Sequence, residues 1–299
     1  MSEPVFGRLV AAMVTPFDAK LNVDFDRAQA LAERLVNGGC DALAVCATTG
    51  ESPTVSHEDK LELFKAVAQA VGNRAKVIAY CGGNNTAASC QDAREYAALG
   101  CLDGFLTVVP YYNKPPQAGL IEHFKAIAQA APDVPMLMYN IPSRSGINMT
   151  AQTTLTLAND VDNIVGIKEA SSNMDQIATI AKEAPSGFCV YSGNDDEVLQ
   201  IMGFGGVGVV STIANVAPAR YREVIDLYLA GKTKEAHMAL DELMPLMREL
   251  FITANPIMAK EALDILGFGV GGLRLPLVKA TAEQRSQMTE VLRLVGDIR

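Results

Sequence analysis

Positive charge and long apolar runs are both scarce in this sequence. Its 299 residues carry 25 Lys and Arg against 34 Asp and Glu, a formal net charge of −9, and the basic residues form no cluster. Such a chain is a poor partner for a nucleic-acid backbone or an anionic membrane surface. No window of about 18 residues, the length of a membrane span, is free of charged and turn-forming residues. We therefore predict neither nucleic acid nor membrane as a partner.

Motifs for metals, nucleotides and serine nucleophiles are missing as well. The sequence contains no C-x-x-C, no H-E-x-x-H, no G-x-S-x-G and no Walker loop. Residues 203–208 and 267–272 have the G-x-G-x-x-G spacing. A dinucleotide fingerprint must follow a strand and open a helix, whereas the first segment precedes a predicted strand and the second precedes an irregular stretch with Pro276. We therefore expect no metal and no cofactor.

Signals for secretion are also lacking. Residues 1–4 have neither the basic segment nor the following apolar segment of a signal peptide. The six cysteines form no framework that the sequence reveals; they are Cys40, Cys46, Cys81, Cys90, Cys101 and Cys189. We expect reduced thiols and a cytoplasmic protein.

The chain does contain a regular alternation of two patterns. Short apolar runs typical of strands occur at eight places, at residues 9–15, 42–47, 76–81, 104–109, 135–139, 164–168, 189–192 and 208–211. Segments with helical spacing follow them, at residues 26–36, 57–71, 86–99, 118–131, 151–158, 174–183, 197–204 and 219–230. In the first of these segments, Ala28, Leu31 and Leu35 fall on one helix face.

Eight strand–helix units in succession predict an α/β protein with a parallel sheet covered by helices. Eight is also the number that closes a (β/α)8 TIM barrel. An open doubly wound sheet is the alternative fold, but the sequence lacks the dinucleotide-binding loop that such a fold needs. After Gly231 the alternation stops and three helical stretches follow, at 233–251, 256–266 and 281–295. We predict a catalytic barrel over residues 1–230 and a C-terminal three-helix appendage over residues 231–299.

Lys168 is the most informative residue at the predicted strand ends, where a parallel barrel builds its active site. Strand alternation puts Ile164, Gly166 and Lys168 on one face. If that face points into the barrel, with Gly166 leaving room beside the lysine, desolvation lowers the lysine pKa and frees a nucleophilic amine. A lysine that emerges at the strand end and pairs with an acid in solvent is the alternative.

Hydroxyl groups and one arginine accompany this lysine. Hydroxyls gather at three strand ends, on Thr48, Thr49, Tyr111, Tyr112 and Tyr139. They suit a proton relay because each can donate and accept, although turn capping and an interface patch are alternatives. Histidines do not supply that function, since all three fall in predicted helices. Arg144 follows Tyr139 closely and suits either a substrate carboxylate or a surface ion pair.

Several ordered motifs together resemble a known family, the dihydrodipicolinate synthases. These belong to the pyruvate-dependent class I aldolases, which include N-acetylneuraminate lyase. The motifs are residues 48–51 (TTGE), 110–115 (PYYNKP), 139–144 (YNIPSR), 166–169 (GIKE) and 255–257 (NPI). The resemblance extends from about Gly7 to the C-terminal helices. It implies a TIM barrel that condenses pyruvate with L-aspartate-4-semialdehyde to 4-hydroxy-tetrahydrodipicolinate, in lysine and diaminopimelate biosynthesis.

The resemblance also implies a role for each matching residue. Lys168 forms the imine with pyruvate, and Tyr139 shuttles protons for its formation. Thr48 and Tyr112 complete a relay with Tyr139, and the tyrosine at position 112 reaches across from a neighbouring subunit. Substrate binding falls to three further residues: Thr49 holds the pyruvate carboxylate, the backbone at Val210 contacts pyruvate, and Arg144 orients the carboxylate of the semialdehyde.

The sequence also leads to an expected oligomeric state and leaves two alternative functions open. A tyrosine donated across an interface requires a homo-oligomer, and the resemblance implies a tetramer built as a dimer of dimers. Another pyruvate-dependent aldolase, cleaving a sialic acid or a 2-keto-3-deoxy sugar acid, is one rival. A barrel that binds 2-oxo acids without catalysis is the other. Arg144 favours the synthase, because a sugar polyol has no need of a carboxylate clamp.

Overall fold

The computed structural model describes residues 4–296. The expectation that the chain has no signal peptide rests on residues 1–4, of which Met1, Ser2 and Glu3 lie outside the described residues. Within the described residues, eight strands form one closed parallel barrel in chain order. They are β1 (Leu9–Ala12), β2 (Ala42–Val45), β3 (Lys76–Tyr80), β4 (Gly104–Val108), β5 (Met136–Asn140), β6 (Ile164–Glu169), β7 (Cys189–Ser192) and β8 (Gly208–Ser211). The predicted fold class is confirmed.

Twelve α-helices accompany the strands in the part of the chain that the structure describes. They are α1 (Phe25–Asn37), α2 (His57–Val71), α3 (Thr86–Ala97), α4 (Gln117–Ala130), α5 (Pro142–Ser145), α6 (Ala151–Asp160), α7 (Met174–Glu183), α8 (Val198–Gly203), α9 (Pro218–Leu229), α10 (Thr233–Glu249), α11 (Ile257–Ile265) and α12 (Ala282–Leu294). All the predicted helices are present, and α5 is an addition. Between residues 4 and 296, no helix has the length and apolar character needed to cross a membrane.

Local sequence signals explain where these helices begin and end. The Ser56 side chain accepts a hydrogen bond from the backbone N–H of Asp59 at 3.1 Å and caps α2. Such a cap contributes about 1 kcal/mol. The same helix ends at Val71 and is capped by Gly72, whose φ of 54° suits a residue without a Cβ atom.

The first of two compact units contains Val77–Val210 and the described residues up to Arg8. Its strands pair in parallel, with β5 beside β6 and β6 beside β7. Every residue of β4 and β5 is buried, as expected for barrel strands with helices on the outside. In this register Tyr139 lies beside Lys168 and Asn140 lies beside Glu169.

The second unit contains Leu9–Lys76 and the described residues from Ser211 onward. Its strands β1 and β2 pair in parallel and are buried throughout. The buried Asn215 amide donates to the Ala12 carbonyl at 2.8 Å and accepts from the Val14 backbone at 3.1 Å, which joins the segment after β8 to β1. The domain boundary after residue 230 stays a prediction.

Candidate active site

Lys168 lies on β6 with only 6% of its surface exposed. Its Nζ atom is 4.3 Å from the centroid of the Tyr139 ring. The two residues are register partners on neighbouring strands, so the sheet itself brings an amine and a phenol together. No salt bridge holds Lys168 in the described residues.

Burial changes the acid–base behaviour of this amine. It lowers the pKa of Lys168 to about 8, and the nearby positive charge of Arg144 acts in the same direction while Asp195 opposes it. With that pKa, roughly a tenth of the amine is unprotonated at neutral pH. An unprotonated lysine attacks carbonyl carbons, so the geometry and the electrostatics both suit imine formation.

The glycine beside Lys168 has a different function from the predicted one. A Cβ atom at Gly166 would collide with the carbonyl oxygen of Cys189 and crowd the Leu137 side chain. Gly166 is the register partner of Cys189 on β7. It therefore permits close contact between strands, rather than leaving space for the lysine as we predicted.

Arg144 lies on α5, a single helical turn that the sequence analysis does not predict. Pro142 starts this turn, and the N–H of Gly146 donates to the Pro142 carbonyl at 3.0 Å. Proline at the start and glycine after the end are a recognised helix signal, and that signal could have revealed α5. The Arg144 side chain is exposed.

Tyr112 is 88% exposed and has a positive φ of 74°. A bulky residue in the left-handed region is strained by roughly 1–2 kcal/mol. Its backbone N–H donates to the Ser145 carbonyl at 3.2 Å, which ties this turn to α5. The Tyr112 side chain faces solvent in the single chain. Val210 is buried on β8.

The sequence analysis assigned no role to two acidic residues near Lys168. Asp195 follows β7, is buried, and raises the pKa of Lys168. Glu169 is buried and accepts hydrogen bonds from Asn140 Nδ2 at 3.0 Å, Gln176 Nε2 at 2.9 Å and the Ser171 backbone N–H at 2.9 Å. Burial raises the pKa of Glu169 while these donors act against the rise. The Glu169 network joins the carboxyl ends of β5 and β6.

The second unit holds the threonine pair after β2. Thr49 is 3% exposed, and its Oγ1 atom accepts a hydrogen bond from Asn255 Nδ2 at 2.9 Å. The turn itself is closed by bonds from the Gly50 N–H to the Ala47 carbonyl at 3.0 Å and from the Glu51 N–H to the Thr48 carbonyl at 3.1 Å.

Three donors of this turn have no acceptor among the described residues. They are the backbone N–H groups of Thr48 and Thr49 and the hydroxyl hydrogen of Thr49. Adjacent N–H groups left unpaired in a turn form a binding place for anions. A carboxylate could accept from all three, which agrees with the predicted role of Thr49.

A buried ion pair follows the threonines directly. Glu51 Oε1 lies 2.6 Å from Lys260 Nζ, and both side chains are almost wholly buried. Lys260 also donates to the Gly272 carbonyl at 2.8 Å and lies 4.1 Å from the centroid of the Phe17 ring. The other Glu51 oxygen accepts from the Arg274 backbone at 3.0 Å. The sequence analysis assigned no role to this cluster.

Residues 4–296 contain no group of three His, Cys, Asp or Glu side chains placed to hold a metal ion. The three histidines lie in helices, as predicted. His123 is buried, its Nδ1 atom is 2.9 Å from the Thr86 hydroxyl, and burial lowers its pKa to about 4.

Comparisons with known proteins agree on one family. The model of the dihydrodipicolinate synthetase family matches residues 5–294. The 4-hydroxy-tetrahydrodipicolinate synthase of Moorella thermoacetica is 50% identical over 291 residues, which is 97% of this chain and 99% of that protein. The enzyme of the same name from Symbiobacterium thermophilum is 50% identical over 293 residues, 98% of this chain and 99% of the relative.

Solved structures give the same result. The lysine-bound dihydrodipicolinate synthase of Cyanidioschyzon merolae superposes with a TM-score of 0.97 at 43% identity and covers 99% of this chain and 100% of its own. A structure described as the first monomeric variant of a dihydrodipicolinate synthase gives a TM-score of 0.95 at 37% identity, with 98% of each chain covered.

Proposed function

This chain belongs to the dihydrodipicolinate synthetase family, and from that premise we propose that it joins pyruvate to L-aspartate-4-semialdehyde through an imine at Lys168. The observation that carries the proposal is the buried amine of Lys168, with its pKa lowered to about 8, over the Tyr139 ring. The names of the relatives support the synthase reaction over sialic acid or sugar-acid cleavage, and over binding without catalysis.

The first step forms the imine. The free Nζ of Lys168 attacks the C2 carbonyl carbon of pyruvate, and the resulting carbinolamine loses one water. Tyr139 donates the proton that leaves with the hydroxyl group and accepts one from the nitrogen. Its ring lies against Nζ in this protein, which supports that role.

The second step makes a carbon–carbon bond. The imine loses a proton from C3 and becomes an enamine, whose C3 attacks the aldehyde carbon of the semialdehyde. The amino group of the semialdehyde then attacks C2 and displaces Lys168. This closes the ring of 4-hydroxy-tetrahydrodipicolinate and regenerates the free amine, so the only other product is the water lost earlier.

Binding of the two carboxylates is divided between different residues. Thr49 and the backbone N–H groups beside it hold the pyruvate carboxylate, and the backbone at Val210 contacts the same substrate. Arg144 orients the carboxylate of the semialdehyde, because its planar guanidinium can donate hydrogen bonds to both carboxylate oxygens at once. The three donors without acceptors in the turn after β2 support the first assignment.

The proton relay and the assembly are linked proposals. Thr48 and Tyr112 complete the relay with Tyr139, and Tyr112 is supplied by a neighbouring copy of the chain. Its exposed side chain on a strained backbone supports that arrangement. The chain then acts as a homo-oligomer, a tetramer built from two dimers, in the lysine and diaminopimelate pathway of the cytoplasm.

A coupled assay with a chemical trap tests the function. Pyruvate and L-aspartate-4-semialdehyde are supplied together, and product is followed with a second enzyme that reduces it. Borohydride added with pyruvate, and not borohydride alone, should abolish activity by reducing the imine. Activity with N-acetylneuraminate instead of the two substrates, or borohydride resistance in the presence of pyruvate, would contradict the proposal.

A further inference from the structure

We propose that Asn255 is a positioning residue that aims the Thr49 hydroxyl at the pyruvate carboxylate. The inference rests on the proposed function, because it assumes that Thr49 binds pyruvate. It gives a reason for the segment Asn255-Pro256-Ile257, which contributed to the family resemblance but has no part in the chemistry described above.

The argument begins with the hydrogen-bond capacity of one hydroxyl group. A threonine hydroxyl has a single hydrogen to donate and two lone pairs that accept. The Asn255 amide nitrogen donates to Thr49 Oγ1 at 2.9 Å, so it occupies a lone pair. The Thr49 hydrogen must therefore point away from Asn255, and it finds no acceptor in the described residues.

A buried donor without an acceptor is unfavourable unless a ligand completes it. Thr49 is 3% exposed and Asn255 is 7% exposed, so water does not readily replace the missing partner. The Thr48 and Thr49 backbone N–H groups are unpaired at the same turn. A carboxylate is the ligand chemistry that accepts from three donors at once, without donating to any.

The turn is also held in place by its surroundings. The Thr15 hydroxyl donates to the Gly50 carbonyl at 2.6 Å, and a Cβ atom at Gly50 would lie 2.9 Å from the Cys46 backbone. Lys260 on α11 pairs with Glu51. The segment from Asn255 into α11 thus contacts the turn at both Thr49 and Glu51, and fixed donors of this kind need little reorganisation when an anion binds.

Replacement of Asn255 should therefore weaken pyruvate binding more than it slows turnover. In Asn255→Ala the hydroxyl hydrogen is no longer directed, and we expect the KM for pyruvate to rise about ten-fold, the effect of losing one hydrogen bond to a charged group. In Asn255→Asp a carboxylate of the same size accepts the Thr49 hydrogen and repels the substrate, and we expect a rise of about a hundred-fold. At saturating pyruvate, kcat should stay within about three-fold.

Imine trapping measures the same effect without the second substrate. The pyruvate concentration that gives half-maximal reduction onto Lys168 by borohydride should rise by the same factors in the two variants. Wild type without any adduct at Lys168 would refute the proposed function. Wild type with the adduct, but an unchanged half-saturating concentration in both variants, would refute the role of Asn255 alone.

Two comparisons separate positioning from general loss of structure. Because Asn255 acts through the Thr49 hydroxyl, Asn255→Ala should have little further effect on the KM in a Thr49→Val background, whereas Thr49→Ser should stay close to wild type. Asn163→Ala is the matched control. Asn163 donates to the Ala128, Ala131 and Val134 carbonyls at 3.1, 3.1 and 3.2 Å, so its loss should lower the Tm and leave the KM unchanged.

Equal, multiplicative effects of Asn255→Ala in the wild-type and Thr49→Val backgrounds would overturn the inference. So would a fall in kcat and Tm with no change in KM. Asn255→Asp keeps the shape of the side chain, so it provides the decisive readout even where the alanine variant folds poorly. Thermal unfolding of each variant shows whether a change in KM comes with a loss of folded structure.

Discussion

Two buried lysines of this chain have a similarly lowered pKa, but one contacts a carboxylate and the other does not. Burial lowers the pKa of both Lys168 and Lys260 to about 8. Both Nζ atoms also lie over an aromatic ring, that of Tyr139 and that of Phe17. Lys260 is in contact with the Glu51 carboxylate and the Gly272 carbonyl, whereas Lys168 has no salt bridge among the described residues.

The difference shows that a lowered pKa does not by itself identify a nucleophile. The Lys260 amine holds its neighbours through ion pairing and hydrogen bonding, so its lone pair is not available to a carbonyl carbon. Lys168 is buried without such a partner, and the cost of burying its charge favours the free amine. In the proposed mechanism, the missing counter-ion distinguishes Lys168, the nucleophile, from Lys260, which is structural.

Removal of the reactive lysine should have the largest effect. In Lys168→Met the nucleophile is lost, and we expect the rate of product formation to fall by a factor on the order of 10⁴ or more. The coupled assay measures it. Lys260→Met is the matched variant and should still form the borohydride-trapped adduct at saturating pyruvate. Loss of the adduct in Lys260→Met, with the fold intact, would contradict the distinction.

Removal of the structural lysine should mainly affect stability. Lys260→Met leaves the buried Glu51 carboxylate without its counter-charge, and we expect a loss of about 3–5 kcal/mol in the free energy of unfolding. Urea unfolding followed by circular dichroism measures it. The double variant Glu51→Gln/Lys260→Met removes both charges and should recover part of the loss. Equal stability of the wild type and Lys260→Met would show that the ion pair is dispensable.

The pH dependence of trapping should report the pKa of Lys168. Its pKa is lowered, so the reactive free amine increases as the pH rises through about 8 and then becomes constant. The initial rate of imine trapping should increase about ten-fold per pH unit well below that value and level off above it. A rate that still increases ten-fold per unit above pH 9 would indicate a lysine with its ordinary pKa.

A neighbouring carboxylate should shift this profile by a small amount. Asp195 raises the pKa of Lys168, so Asp195→Asn should move the profile to lower pH and speed trapping a few-fold at neutral pH. Asp196→Asn is the control, since Asp196 is exposed and should leave the profile unchanged. A shift to higher pH in Asp195→Asn would reverse the sign of the electrostatic argument.

The two lysines also differ in how far their roles can be predicted from the sequence. Lys168 can be singled out because strand alternation gives its face and parallel topology gives its place near the end of β6. That pattern alone leaves a solvent-paired lysine as the alternative, and the family resemblance supplies the imine role. The role of Lys260 depends on Glu51, far away in the chain, and a helical lysine carries no local sign of such a partner. Asn255 was quoted as part of a motif, but its bond to Thr49 joins residues 206 positions apart.

Short secondary-structure elements are a second kind of feature that the sequence does not predict well. Long helices with apolar spacing, such as α2 and α10, were predicted close to their observed ends. The single turn α5 is too short to show that spacing, and only Pro142 and Gly146 indicate it. Tyr112 was identified as a hydroxyl for the relay, but its positive φ and its exposure follow from the turn geometry, which the sequence does not display.

Peptide mapping of the reduced pyruvate adduct tests the central claim most directly. The wild-type protein is incubated with pyruvate and borohydride, digested, and analysed by mass spectrometry for the modified lysine. The account predicts that Lys168 carries the adduct and that Lys260, equally buried and with the same lowered pKa, does not. An adduct on Lys260, or an unmodified Lys168 at saturating pyruvate, would contradict it.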